Sequence, residues 1–194
     1  MLAPQILRER TKQAHAGLEQ TAVMAPLSGE NVSQRQYQDA LAALYGFYSP
    51  AERLLYAQSP CEAVAMGIGA KAPALRQDLL ALGMAVSEIE ALPLCADLPL
   101  PDGAARQLGM LYVLEGATLG GQVIRKRLVA SFAEKTPDVT HFHGFHGDGA
   151  GPWWKRFQSQ LAEKLDIDPI ATEAAVQSAL ETFASLECWL SSAN

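Results

Sequence analysis

The stretch from Leu111 to Leu128, LYVLEGATLGGQVIRKRL, sets the terms for the whole chain, because it has a helix's pattern and yet carries Gly116, Gly120 and Gly121. Tyr112, Leu114, Leu119, Val123, Ile124 and Leu128 recur at helical spacing, and Arg125, Lys126 and Arg127 sit near the end, where cations favour the negative pole of the dipole. An interior Gly costs about 1 kcal/mol of helix stability relative to Ala, so this cluster is a weakness that some other interaction must offset. Either another helix packs closely on the glycine face, or a flat ligand lies against bare backbone at a bend. Spacing alone tilts toward packing, since small residues at i and i+4 are common in helix contacts.

The rest of the chain supports an all-α reading. A first helix is predicted from Pro4 to Met24, ended by Pro26 and Ser28-Gly29. A second follows the N-cap Ser33 and runs to about Gln58, with Tyr37, Leu41, Leu44, Tyr45 and Tyr48 as its core stripe and Pro50 expected to bend or break it. Residues Pro60 to Gly69 read as a connection, Ala72–Leu82 and Ser87–Ala91 as short helices, and Leu92–Asp102 as a proline-rich loop into the glycine-bearing helix. WWKRFQSQLAEKL and the segment from Pro169 to about Leu190 close the chain as two more helices. No strand pattern, repeat, P-loop or nucleophile elbow is present.

Length and balance point to one domain over 1–194, with 49% hydrophobic and 19% charged residues, which is ordinary for a globular chain. A formal charge of -6 argues against a general nucleic-acid binder. Cys61, Cys95 and Cys188 are odd in number and form no CxxC pair, so a disulfide framework and a zinc site are both disfavoured and a reducing cytosol fits. The N-terminus lacks an apolar signal core, and no apolar run reaches the ~18 residues of a membrane span. The expectation is a cytoplasmic protein with no membrane contact.

Two places invite a metal. On the first helix Arg8, Lys12, His15 and Glu19 are spaced by four, three and four residues and fall on one stripe. A carboxylate four residues after a His can take one ring N–H, which fixes the tautomer and leaves the other nitrogen free for an axial metal bond. A solvated surface His is the bland alternative. The loop from His141 to Pro152, HFHGFHGDGAGP, holds His141, His143 and His146, but a flexible Gly-rich loop with Asp148 as its nearby carboxylate is a poor preorganised metal site. After it, Lys155 and Arg156 stand among Trp153, Trp154 and Phe157, where basic heads beside aromatics can clamp an anion at the rim of an apolar pocket.

Taken in order, these motifs resemble the biliverdin-producing haem oxygenases, and more closely bacterial members, including those associated with bacteriophytochromes. RERTKQAHAGLEQT, from Arg8 to Thr21, is similar to the family's proximal helix, which implies His15 as the iron ligand and Glu19 as its orienting carboxylate. YVLEGATLGGQ, from Tyr112 to Gln122, resembles the distal helix, whose glycines let the backbone approach the porphyrin and bend over the oxygen site. That maps onto Gly116, Gly120 and Gly121, with Tyr112 in the cofactor-binding set. FHGFHGDGAGPWWKRF matches a bacterial pattern in which Lys155 falls at a propionate-binding cation, and Arg8 falls where others have a propionate-binding Lys, with Lys12 beside it.

The resemblance implies a bundle of roughly eight helices with haem (iron protoporphyrin IX, both cofactor and substrate) between a proximal and a kinked distal helix. It implies cleavage of haem by dioxygen to biliverdin, carbon monoxide and ferrous iron. Reducing equivalents then come from an external ferredoxin or reductase, since no flavin, nicotinamide or iron–sulfur motif is present, and a bilin-binding photoreceptor downstream is compatible. One departure stands out. Many members place an Asp directly after the first distal glycine to organise the water that delivers protons, and here that residue is Ala117, leaving Thr118 as the nearest side-chain hydroxyl. Ala117 keeps open a haem carrier or sensor without turnover. A third class, thiamine-degrading proteins of this architecture, is disfavoured by Glu19 after His15 and by the distal glycines.

Overall fold

The computed structural model describes residues 1–29, 32–133 and 137–192, with backbone alone at 118, 119, 130, 131 and 137. Eight α-helices account for most of it: α1 (Ala3–Glu19), α2 (Gln34–Tyr56), α3 (Glu62–Ala65), α4 (Ala72–Ala81), α5 (Val86–Glu90), α6 (Ala104–Phe132), α7 (Ala150–Leu165) and α8 (Pro169–Ser192). Among the described residues there is no strand, and no helix is long and apolar enough to cross a membrane.

Local chemistry explains where the helices begin and end. Ser33 caps α2 reciprocally: its hydroxyl accepts from Gln36 N at 3.2 Å, while Gln36 Oε1 accepts from Ser33 N at 3.0 Å. α1 stops at Glu19, five residues short of the expected Met24. There the Thr21 hydroxyl donates to Leu18 O at 2.9 Å, occupying a carbonyl that a longer helix would use, and the chain passes into a 3₁₀ turn, Ala25–Ser28. α7 begins at Ala150, within the expected loop, because Pro152 sits in the first turn, where its missing N–H is not needed. A short helix, α3, also lies within what reads as a plain connection.

Pro50 does not break α2. A mid-helix proline orphans the carbonyl four residues earlier, here Gly46 O, and Cys95 N from the loop between α5 and α6 donates to it at 2.8 Å. Gly46 also lacks the Cβ that would collide with Pro93 O and the Trp189 ring, each 2.6 Å from where it would stand. The loop and the end of α8 therefore close over the proline step.

α6 is the central element and stays helical across all its glycines. From Gln107 to Glu115 every residue is buried, as expected of a helix surrounded by protein. It packs most extensively on α8, which also carries α1. Gly109 makes the α6–α8 crossing close: a Cβ there would collide with Ala175 O and stand 2.8 Å from Ser178 Cβ. α1 and α6 make no extensive contact with each other. The buried side chains form one cluster, leaving a space between α1 and the second half of α6.

Candidate functional site

That space is a cavity of about 820 Å³, within the range of small-molecule and cofactor sites. α1 contributes Arg8, Lys12, His15 and Glu19, and α6 contributes Tyr112, Gly116, Ala117, Gly120, Gly121 and Arg127. Apolar walls come from Leu44, Phe142, Trp154, Phe183 and Leu186. A second cleft of about 590 Å³ lies between α2 and the end of α8, but the described residues lining it include no histidine, and its one Arg, Arg35, is paired with Asp39 at 2.9 Å.

The residue at the heart of the α1 stripe is His15. Its imidazole lies edge-on to Phe183, with centroids 6.0 Å apart, and its side chain is 55% exposed. Nδ1 stands 3.8 Å from Glu19 Oε1, close enough for electrostatic orientation and too long for a direct hydrogen bond. Nε2 is the nitrogen left available. Such exposure beside an apolar wall suits a ligand that itself covers the imidazole.

The glycines of α6 divide between the two readings that spacing leaves open. A Cβ at Gly121 would stand 2.8 Å from His143 O and 3.1 Å from its Cα, so Gly121 is a packing glycine. At Gly116 and Gly120 no atom of the described residues lies within 4 Å, although both line the cavity. No packing partner requires those two to be glycine. They leave a strip of bare backbone facing the His15 side, the arrangement a flat ring needs for close approach. Ala117 also lines the cavity, whereas the side chain of Thr118 lies outside the described residues.

Among the described residues three cations line the cavity: Arg8, Lys12 and Arg127. Burial pushes the Tyr112 phenol up, while hydrogen bonding with the Thr11 side chain and the charge of Arg8 draw it back, which puts Arg8 on the Tyr112 side. Lys155 is not brought in with them. It is exposed and absent from the cavity lining, because α7 turns Trp154 and Gln158 inward instead. Arg156 lies over the Trp153 ring at 5.0 Å and donates to Met66 O at 3.3 Å, so it forms no anion clamp at the rim.

Of the loop histidines, His141 and His146 are engaged away from the cavity. His141 Nδ1 lies 2.7 Å from Asp78 Oδ1, and the Asp78 carboxylate also accepts from His141 N at 2.7 Å and Phe142 N at 2.9 Å. Burial raises the Asp78 pKa against those bonds. The loop expected to be flexible is thus tied at its base by one buried carboxylate. His146 stacks on Trp153 with centroids 4.5 Å apart, and its Nε2 lies 3.3 Å from Glu115 Oε2. His143 is buried in the cavity wall beside Tyr37. No group of three His, Cys, Asp or Glu side chains among the described residues could hold a metal ion.

Sequence reasoning missed the network behind the cavity. Glu115, one residue before the first cavity glycine, is 1% exposed, pairs with Lys71 and accepts from Trp153 Nε1 at 3.0 Å. Burial would raise its pKa, but His146, Lys71 and Trp153 together hold the carboxyl below the usual range. Glu52, on α2, accepts from Lys71 N at 2.6 Å and Ala72 N at 2.9 Å. Tyr48 donates to Leu114 O at 3.1 Å and lines the cavity. The signal for Glu115 was a lone acid inside an otherwise apolar run, which demands a buried partner.

Comparisons with known proteins agree on one family. The model of the family described as "Heme oxygenase" matches residues 2–192. A heme oxygenase of Xanthomonas campestris pv. campestris (strain 8004) is 39% identical over 99 residues, 49% of this chain and 52% of that protein, so the match spans about half the length of each. Among solved structures, heme oxygenase from Leptospira interrogans superposes with a TM-score of 0.78 at 16% identity, covering 98% of this chain and 99% of the other. Heme oxygenase-1 from the cyanobacterium Synechocystis, solved in complex with heme, superposes with a TM-score of 0.71 at 18% identity, covering 98% and 91%. At those identities the structural likeness is one of fold.

Proposed function

This chain belongs to the haem oxygenase family, and we propose that it binds haem in the α1–α6 cavity and opens the ring to biliverdin, carbon monoxide and ferrous iron. The observation that carries this reading is the pairing of His15 with an unfilled glycine strip. A half-exposed imidazole oriented by Glu19 lines the same cavity as Gly116 and Gly120, at neither of which would a Cβ meet a neighbour among the described residues. A flat, apolar, iron-bearing ligand with carboxylates at its edge fits that arrangement.

Each residue has a task in this reading. His15 holds the iron through Nε2, with Glu19 favouring the tautomer that leaves that nitrogen free. Gly116 and Gly120 let the ring lie close to backbone, and Gly121 keeps α6 seated on the loop that carries His143. Arg8, Lys12 and Arg127 hold the carboxylates, since charges leaving an apolar slot need charged partners at its mouth. Lys155 is the weaker cation, because it stands outside the wall. Phe142, Trp154, Phe183 and Leu186 exclude bulk water, and Tyr112 adds a phenol near Arg8. Haem, when bound, supplies the iron at which dioxygen is activated and the ring that is opened. Ala117 supplies no acid, so protons would arrive through ordered water held by neighbouring groups.

The reducing equivalents come from a separate ferredoxin or reductase, and the reaction belongs to the cytoplasm, with the bilin available to a photoreceptor downstream. The test is to load purified protein with haem and add a reductant in air. Loss of the Soret band with formation of biliverdin and carbon monoxide is expected. A Soret band that persists through reduction and reoxidation identifies a carrier, the reading that Ala117 favours.

A further inference from the structure

One polar group in the cavity wall has no task in the reading above. His143 is 3% exposed and lines the cavity on the α6 side, where its backbone seats Gly121. Its Nδ1 lies 2.9 Å from the Tyr37 hydroxyl. Tyr37 is itself fully buried and does not line the cavity.

That single contact decides the tautomer. If Nδ1–H donated to the phenol oxygen, the phenol's own proton would be buried with no acceptor, because His143 is the hydroxyl's one hydrogen-bond partner among the described residues. A buried donor left unmade costs more than an ordinary hydrogen bond returns. The phenol therefore donates to Nδ1, and the proton of the neutral imidazole resides on Nε2. Burial keeps the ring neutral by pushing its pKa down to about 4. Nε2 has no hydrogen-bond partner among the described residues, so it is the ring nitrogen left for the cavity.

The structure assigns His143, locked as the Nε2–H tautomer by Tyr37, as the hydrogen-bond donor of the cavity's α6 face, directed at the water or small ligand held opposite His15. The assignment rests on the haem reading and makes His143 a positioning residue. It does the ordering for which Ala117 has no side chain. As a neutral donor it holds a water or an anion in place and does not itself release a proton.

The probes are azide on the ferric haem-loaded protein and carbon monoxide on the ferrous form. In His143→Phe the C–O stretch should move to higher wavenumber and azide should bind about tenfold more weakly, the worth of one hydrogen bond to a charged ligand. The Soret maximum and the His15 ligation should be unchanged. His143→Gln, which keeps an N–H near the Nε2 position, should restore azide affinity. Tyr37→Phe should shift the C–O stretch in the same direction by freeing the tautomer, and it carries the test if His143→Phe does not fold. Unchanged stretch and azide affinity in folded His143→Phe or Tyr37→Phe protein overturn the assignment while leaving the haem reading intact. So does a change of axial ligation in His143→Phe, which would make His143 an iron ligand. A wild-type protein with no Soret band on haem titration removes the haem reading itself, and the assignment with it.

Discussion

Replacing the α6 glycines one at a time with alanine separates packing from ligand approach by the sign of the stability change. At Gly116 and Gly120 an added Cβ meets no atom of the described residues within 4 Å, so each alanine should gain the helix-propensity difference of about 0.5–1 kcal/mol. For a chain of this size that corresponds to a melting temperature higher by roughly 2–3 °C. At Gly121 the same Cβ would stand 2.8 Å from His143 O, a backbone atom that cannot rotate away. Overpacking there costs about 1–3 kcal/mol, so Gly121→Ala should be destabilised by about 1–2 kcal/mol after the same propensity gain. The assay is urea denaturation of haem-free protein, with haem titration of each variant. Gly120→Leu completes the set: it should leave haem-free stability within about 1 kcal/mol of wild type and lower haem affinity by about tenfold or more. Equal destabilisation at all three positions, or unaltered haem affinity in Gly120→Leu, refutes the division.

Other consequences follow from the buried charges and the rim. Lys71→Met leaves Glu115 buried without its cation and should cost about 3 kcal/mol in urea denaturation; a loss below about 1 kcal/mol would mean that His146 and Trp153 suffice. His143 has its folded pKa lowered to about 4 from 6.5, so the unfolded chain binds the proton first and stability is lost as pH falls through that interval. By pH 5 this amounts to about 2 kcal/mol. Burial raises Glu52 and Asp78, which pushes the other way on acidification, so the comparison is between wild type and His143→Phe. The variant should show the shallower loss from pH 7 to 5, and identical slopes would contradict a neutral buried imidazole. Arg8→Ala with Arg127→Ala should weaken haem binding and change the biliverdin isomer ratio on chromatography if, as proposed, these cations hold the carboxylates and so set which ring edge lies under the distal face. Lys155→Ala should change neither.

Much of this architecture is legible in the chain because helices announce themselves locally. Ser33 and Gln36 form a capping box within four residues, and the His15–Glu19 spacing needs one turn of helix. What stays hidden depends on partners distant in sequence. Pro50 survives because Cys95, 45 residues on, takes the orphaned carbonyl of Gly46. The His141–Pro152 loop looks flexible until Asp78 is found beneath it, and Glu115 needs Lys71, the residue just before α4, to be intelligible. Gly109, the tightest glycine of α6, carries no signal in the sequence, since its reason lies in Ala175 and Ser178 on α8. Spacing tilted the α6 glycines toward packing as a group, yet they divide, because a helical wheel says which face a residue occupies and not what stands opposite it.

The proposed haem site needs His15 on α1 to hold iron while the bare backbone of Gly116 and Gly120 faces the same ring. The most direct measurement is the ligand-sensitive absorption and electron-paramagnetic-resonance spectrum of haem-loaded His15→Ala protein, recorded before and after adding imidazole. The account predicts loss of the wild-type axial histidine signature in the variant and its recovery when free imidazole occupies the space vacated beside Glu19 and Phe183. A variant spectrum identical to wild type without added imidazole would contradict it and move the iron ligand to another side chain.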